Sequence, residues 1–460
     1  MYLQTVRIKI KAATGAGHVS AGVHGQKSVG GFLQKPDFVF GEKMKKTLAA
    51  VAVLGAFVGS ALAADVQLYG IVDTGVSYSH IDSDMPGSDA TDSFSMDSGN
   101  QSGSRFGFKG TEQIGDNFKV GFILENGFSS DTGADKDVFF DRESSLFIEG
   151  SFGKLAFGRM GFINGTQSSW SKIGMISAFG TSFGDYSAQA GNSFSVAGQW
   201  DNMIAYETPD FAGFKVFAQY SLGKSSPDPL REGYTAVENE SSVDRYWAIG
   251  ATYVNGPAAA YLAVDSMNYR SWGNQVENYP PQGDLEANQD LDDSMTVTLG
   301  GSWDFQVAKV FFGGQYFDEV RMSSLGGVSN TVFEDAEFDM FYPGYEHYKG
   351  MKITNFFKLK GYSLSLSTSV PLGGGNLLAG VSYVDSEAAD SMEKVVELKD
   401  ATLKRYVVSL GYTYNLSKRT NIYGVASYMQ DKFDDIEYSH ADYNNDPSVY
   451  SVMIGLRHTF

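Results

Sequence analysis

The chain predicts an all-β fold, a 16-stranded antiparallel transmembrane β-barrel with short turns at one end and long loops at the other. Three observations carry that expectation: a last strand that stops on an aromatic residue, an export signal near the other end, and strand-like alternation with no linker in between. From Val449 to Phe460 the chain reads VYSVMIGLRHTF, with Tyr450, Val452, Ile454, Leu456, His458 and Phe460 on one face. Ser451, Met453, Gly455, Arg457 and Thr459 fall on the other face. Successive side chains of a strand point to opposite sides of a sheet, so one side suits lipid and the other suits water.

Toward the other end, Met44-Lys45-Lys46 is a basic start, Leu48 to Val58 is an apolar core, and Ala61-Leu62-Ala63 offers small residues for cleavage. This is the pattern of a secretory signal peptide, and it predicts cutting between Ala63 and Ala64. The apolar run is too short for a permanent spanning helix, which needs about 20 residues. Residues 1–43 precede a signal that must be N-terminal to be read, so they are expected to be a mis-assigned upstream extension with no fold. The mature portion, 64–460, keeps 27 Lys and Arg against 52 Asp and Glu, a net charge of about −25. Such a charge argues against a nucleic-acid partner, because binding phosphate requires the opposite sign. There is no Cys, hence no disulfide or thiolate metal site, and the six His show no metal-ligand spacing. Neither a metal nor a cofactor is expected.

Candidate strands follow in order at 65–79, 104–113, 117–129, 142–151, 153–160, 202–209, 213–223 and 244–255, then at 257–269, 294–305, 308–321, 356–371, 376–385, 404–415, 420–431 and 448–460. Their connectors alternate between two kinds. Short ones such as Gln113-Ile114-Gly115-Asp116-Asn117, Val254-Asn255-Gly256-Pro257 and Pro371-Leu372-Gly373-Gly374-Gly375 supply positive φ or a preset bend, as hairpin turns require. Long polar ones occupy 80–103, 271–293, 322–355, 386–403 and 432–447.

Each strand separates into two chemistries. In 404–414, Tyr406, Val408, Leu410, Tyr412 and Tyr414 alternate with Arg405, Val407, Ser409, Gly411 and Thr413. In 362–370, Tyr362, Leu364, Leu366, Thr368 and Val370 alternate with Ser363, Ser365, Ser367 and Ser369. Backbone N–H and C=O groups in hydrocarbon must all be paired, so such strands must close into a ring. About sixteen strands leave an aqueous channel, whereas about eight would be filled by side chains.

Five segments in order then carry a resemblance: Val66 to Asp73 (VQLYGIVD), Ser104 to Glu112 (SRFGFKGTE), Gly153 to Arg159 (GKLAFGR), Tyr206 to Phe214 (YETPDFAGF) and Gly455 to Phe460 (GLRHTF). Across the mature chain the sequence resembles the Gram-negative general porins, most closely the betaproteobacterial type. The resemblance implies a homotrimer in the cell outer membrane, each barrel passing ions and small hydrophilic solutes by passive diffusion. It also implies contact with lipopolysaccharide and outer-membrane lipid, delivery by periplasmic chaperones to the barrel assembly machinery, and Phe460 as the assembly signal. The third long loop, 161–201, would fold inward as the constriction, bringing Lys172, Asp185 and Asp201. Opposite it, Arg105, Lys109, Arg142 and Arg159 would form a basic ladder whose field across the pore orients polar solutes. Asp73, Glu112, Glu125 and Arg405 are further lumen candidates, the carboxylates also being salt-bridge partners for the arginines.

One departure bears on selectivity. Related sequences often place an Arg just before the Asp-Asn that opens the sixth strand, but this chain has Gln199-Trp200-Asp201-Asn202. Residues 81–101 hold five acids and 271–293 hold six, and neither segment holds a base. A mild cation preference is therefore expected. A substrate-specific channel with a saturable pore site is one alternative. An outer-membrane barrel enzyme is another, for which His80, His347 and His440 would need a nucleophile nearby.

Overall fold

The computed structural model describes residues 7–9, 65–84, 88–135, 138–181, 183–184, 186–195, 198–227, 235–270, 292–332, 337–339, 351–352, 357–394, 399–438 and 441–460. Sixteen strands close into one antiparallel barrel. They are β1 (Gln67–Asp82), β2 in two pieces (Thr91–Ser98 and Arg105–Ile114), β3 (Phe118–Gly127), β4 (Glu143–Gly150), β5 (Gly153–Gly161), β6 (Gln199–Glu207), β7 (Phe214–Ser221) and β8 (Arg245–Asn255). The ring continues with β9 (Ala258–Asn268), β10 (Met295–Asp304), β11 (Lys309–Arg321), β12 (Lys358–Leu372), β13 (Gly375–Ala388), β14 (Thr402–Asn415), β15 (Thr420–Tyr438) and β16 (Ala441–Asn445 and Ser448–Thr459). Each strand pairs with its neighbours in sequence, and β16 pairs with β1 from Ile71↔Thr459 to Asp82↔Ser448. Among the described residues no helix is long and apolar enough to cross a membrane, and the crossing is made by strands.

The alternation read from the chain is the alternation found. On β12, Leu364 and Leu366 are 53% and 55% exposed on the outer face, while Ser363 and Ser367 on either side of the pair are 0% and 5% exposed. Short turns close one end, and the glycines there take the left-handed region, Gly256 at φ +55 and Gly373 and Gly374 at +60 and +87.

Two of the expected long loops are shorter than the composition suggests. Residues 91–98, expected within a loop, form the outer half of β2 and pair with Thr74–Ile81 of β1. Their sequence, TDSFSMDS, is too polar to read as strand, and pairing with β1 overrides that weak propensity. The two halves of β2 are separated by a turn whose amides Gln101 N–H and Ser102 N–H donate to Asp73 Oδ2 at 2.9 and 2.7 Å. Likewise 432–447 is mostly strand, as β15 runs on to Tyr438 and turns back into Ala441–Asn445. Of residues 1–64, only Arg7–Lys9 is described, as a short strand against Glu337–Asp339. The expected cleavage site at Ala63 and Ala64 lies outside the described residues.

The ring is sealed at its chain ends by Gly70 and Phe460, whose backbones exchange hydrogen bonds of 3.2 and 3.1 Å. Gly70 has no room for a side chain, because a Cβ there would overlap the Phe460 ring and approach Arg105 O to 2.7 Å. Gly70→Val is expected to cost about 1–3 kcal/mol through overpacking. The check is the temperature at which the folded barrel loses its compact gel mobility, which should fall.

Candidate functional site

Between β5 and β6 the third external connection, residues 162–198, folds into the barrel over its described residues. Polar inner-wall side chains satisfy its backbone in turn. Ile163 N–H donates to Gln219 Oε1 of β7 at 2.7 Å, Ala178 N–H to Ser367 Oγ of β12 at 2.8 Å, Ala188 N–H to Ser409 Oγ of β14 at 2.8 Å, and Ser195 N–H to Gln315 Oε1 of β11 at 2.6 Å. Asn164 Nδ2 donates to Asp265 Oδ2 of β9 at 2.8 Å. Irregular backbone is permitted at membrane depth only where it is satisfied in this way or lines water.

Between these polar anchors the loop buries apolar side chains where the wall is smallest. Ile176 would meet a Cβ on Gly313 at 2.8 Å and one on Gly300 at 2.6 Å, so only glycine leaves space for it. Phe179 sits in the same way over Gly380 and Gly411 and stands edge-on to Phe183. Phe162, Ile163, Trp170, Ile173 and Phe194 join inner-wall Phe217, Tyr246 and Tyr261 in one buried cluster. Each such side chain contributes about 1.5–3 kcal/mol when fully buried. Trp200 belongs here as well, with its ring 5.8 Å from Phe162, so the position where related sequences often have an Arg serves packing.

The loop thus covers the inner wall from β7 round to β16 and leaves water on the remaining side. A cavity of about 1210 Å³ is bounded by β1, β2 and β16, by the third loop, and by residues 326–331 of the sixth. Its charged lining residues are Asp97, Arg105, Asp131, Arg142 and Lys172, set among many hydroxyl and amide groups. Arg142 joins wall to loop: Nε donates to Glu125 Oε1 at 2.7 Å and Nη1 donates to Gln167 Oε1 at 2.7 Å. Glu125 also accepts from Tyr69 Oη at 3.0 Å and lies 3.9 Å from Arg105 Nε.

Of the residues singled out in the sequence, Arg105, Arg142 and Lys172 line this space and Glu125 lies directly behind it. Lys109 is on β2 beside the Tyr69 ring, 5.1 Å from its centroid, and is not part of the cavity lining. Arg159 is not part of it either. It lies where the β5–β6 register slips, with Nη1 2.7 Å from Asp201 Oδ1 and Nε donating to Asp141 O. Asp201 is a residue of β6 that Arg159 and Lys224 hold, and Asp185 lies outside the described residues. Asp73 is buried, accepting from the β2 turn and from Tyr423 Oη at 2.6 Å. Glu112 is exposed near the turn end of β2, and Arg405 faces inward but is covered.

The ladder therefore differs from expectation. Asp97 and Asp131 stand on the wall side among the arginines, and the third-loop charge that lines the cavity is Lys172, so among the described residues the two signs are interleaved. Asp97 was missed because it falls in the misread half of β2. Arg457, whose Nε donates to Ser102 Oγ at 3.0 Å, was on the inward face of the terminal strand and could have been read there. His80 Nδ1 is 2.8 Å from Asp92, which also accepts from Tyr78 Oη at 2.7 Å. His347 and His440 lie outside the described residues.

Comparison with known proteins agrees with the geometry. A family profile described as Gram-negative porin matches residues 49–435. An outer membrane porin protein of Bordetella pertussis is 32% identical over 447 residues, covering 91% of this chain and 100% of that protein. Outer membrane porin protein 32 of Delftia acidovorans is 28% identical, covering 85% of this chain and 90% of its own. Among solved structures, an anion-selective porin from Comamonas acidovorans shares the fold with a TM-score of 0.57 at 23% identity, covering 86% of this chain and 100% of that chain.

Phe179→Ala should release the outer reach of the third loop at a cost of about 3–5 kcal/mol, the usual loss for truncating a buried Phe. Limited chymotryptic cleavage within 162–198 should speed up, while the heat stability of the barrel wall stays close to that of the unaltered chain.

Proposed function

The chain belongs to the Gram-negative porin family, and from that premise we propose that its narrow zone discriminates little by charge, leaving the acidic outer loops to tip the channel toward cations. The protein is an outer-membrane channel for passive diffusion of ions and small hydrophilic solutes, and it is not an enzyme. The observation that supports weak discrimination is the interleaving of charges. Arg105, Arg142, Lys172 and Arg457 are met by Asp73, Asp97, Glu125 and Asp131 in and directly behind the cavity wall. A solute there passes alternating signs, and a single-signed barrier is absent among the described residues. Four further acids of 81–101, Asp82, Asp84, Asp89 and Asp92, stand at the outer end, and the sequence 271–293 adds six acids, with no base in either segment.

This division of labour depends on ionic strength. Charges at the mouth act over about 30 Å in 0.01 M salt and about 3 Å in 1 M salt. The cation preference should therefore be clear in dilute salt and nearly vanish in concentrated salt, whereas selectivity built into a charged constriction would persist.

The same reading covers the processing and assembly of the chain. Cleavage between Ala63 and Ala64 releases the mature protein, periplasmic chaperones and the barrel assembly machinery receive it, and Phe460 serves as the assembly signal. Apolar outer faces allow three barrels to pack as a homotrimer without burying charge, with lipopolysaccharide and outer-membrane lipid around them. Lys109, Arg159 and Glu112 then act in the approaches to the constriction, and Asp185 is a charge of the constriction loop.

Reversal potentials of the mature chain, 64–460, in planar bilayers test the proposal. Asp97→Asn should move selectivity toward anions and Arg105→Gln toward cations, each modestly. A large cation preference that survives in 1 M salt would sink the balanced-constriction reading. Current that one solute blocks saturably would replace it with a substrate-specific channel. Closures in groups of three would support the trimer.

A further inference from the structure

Among the described residues, the sixth loop also enters the lumen, beside the third. Beyond β11, Met322–Leu325 makes a single tight turn, Gly326 and Gly327 follow at φ +59 and +89, and Val328–Val332 makes one helical turn. Val328 is buried against Met429 and Val449 of the inner wall and belongs to the same cluster as Phe179 and Phe183 of the third loop. Gly326, Gly327 and Thr331 line the cavity. The two loops also meet directly, with Tyr186 Oη and Thr331 Oγ1 3.1 Å apart.

At their junction is a fully buried charge with no role in the reading above. The Arg405 side chain, from β14, is 1% exposed. Its Nε and Nη2 hold Asp431 of β15 at 2.7 and 2.9 Å, a two-pronged pairing that fixes the guanidinium plane. The remaining N–H groups donate to backbone carbonyls of both loops: Nη1 to Asn192 O of the third at 3.0 Å and to Leu325 O of the sixth, and Nη2 to Gly326 O at 2.8 Å. Asp431 Oδ2 in turn accepts from Ser329 N–H at 3.0 Å. Gly327 has no side chain for a reason, since a Cβ there would overlap the guanidinium. Lys could not reproduce this set, having neither the fork nor enough donors in one plane.

We propose that residues 325–331 form a second wall of the constriction and that Arg405, locked by Asp431, positions this wall against the third loop and so sets the pore's cross-section. Arg405 is a positioning residue, because it acts through the two loops and does not touch the solute. The pore then has a clasp at its centre, and the solute size limit depends on two loops closing on one side chain.

The test uses the mature chain in planar bilayers and in liposomes swollen with sugars of increasing size. Gly327→Val breaks the junction from the loop side. The double change Arg405→Met with Asp431→Leu removes it from the wall side and leaves no uncompensated buried charge, which guards against loss of folding by the single variants. Both should enlarge the conductance steps, increase current noise and admit sugars that the unaltered channel holds back, with gel mobility showing an intact barrel. Arg405→Lys should behave like the double change, because the fork is missing. If the folded variants conduct and sieve as the unaltered channel does, or lose only heat stability, the clasp is overturned. Absence of conductance in the unaltered chain would instead refute the channel itself.

Discussion

Everything in this molecule follows from the cost of an unpaired backbone amide or carbonyl in hydrocarbon, which is several kcal/mol for each group. A sheet with edges cannot meet that condition, so the strands must close, and closure has to happen where the chain's first and last strands meet. The Gly70–Phe460 seam shows what this demands locally: two backbones exchanging hydrogen bonds, with one side chain deleted so that the terminal ring can lie across the joint. Once the ring is shut, the outer face is settled by lipid and the inner face is free to be shaped.

The inner face is shaped mainly for a loop, and only secondarily for water. Glycines at 300, 313, 380 and 411 give way to Ile176, Phe194 and Phe179, and serines or glutamines placed between them accept or donate to the loop's backbone. The alternation that puts small residues inside thus does two things, as it keeps the wall compatible with water and provides a track for chain folded upon it. Ionic groups hold this track at several points: Arg142 at the open cavity, Arg405 beneath both loops, Asp265 at Asn164 and Glu143 at Ser169.

How much of this could be read beforehand depends on distance along the chain. All sixteen strands were legible, since period-two alternation and turn residues are local signals. The outer half of β2 was not, because its polar sequence becomes strand only through pairing with β1. Inward direction was read for Arg405 from alternation and for Arg105 and Arg142 from the family resemblance, but depth was not legible. Alternation says which face a residue occupies and nothing of what covers it, so Arg405 could be placed inside without revealing that two remote loops cap it. Arg159 was placed in the ladder by the family resemblance, and the register slip next to Gly158, at φ +130, is a local feature that no motif in the sequence announces.

The outer extension of the wall has an electrical consequence. β1 has 16 residues and β15 has 19, against the 9–11 that cross a bilayer. The surplus continues as paired sheet above the lipid, and a sheet keeps its diameter where a fringe of loops would not. An ion crossing this channel therefore meets two resistors in series, a long tube of fixed bore and then a short throat, and the measured current reports the sum of both.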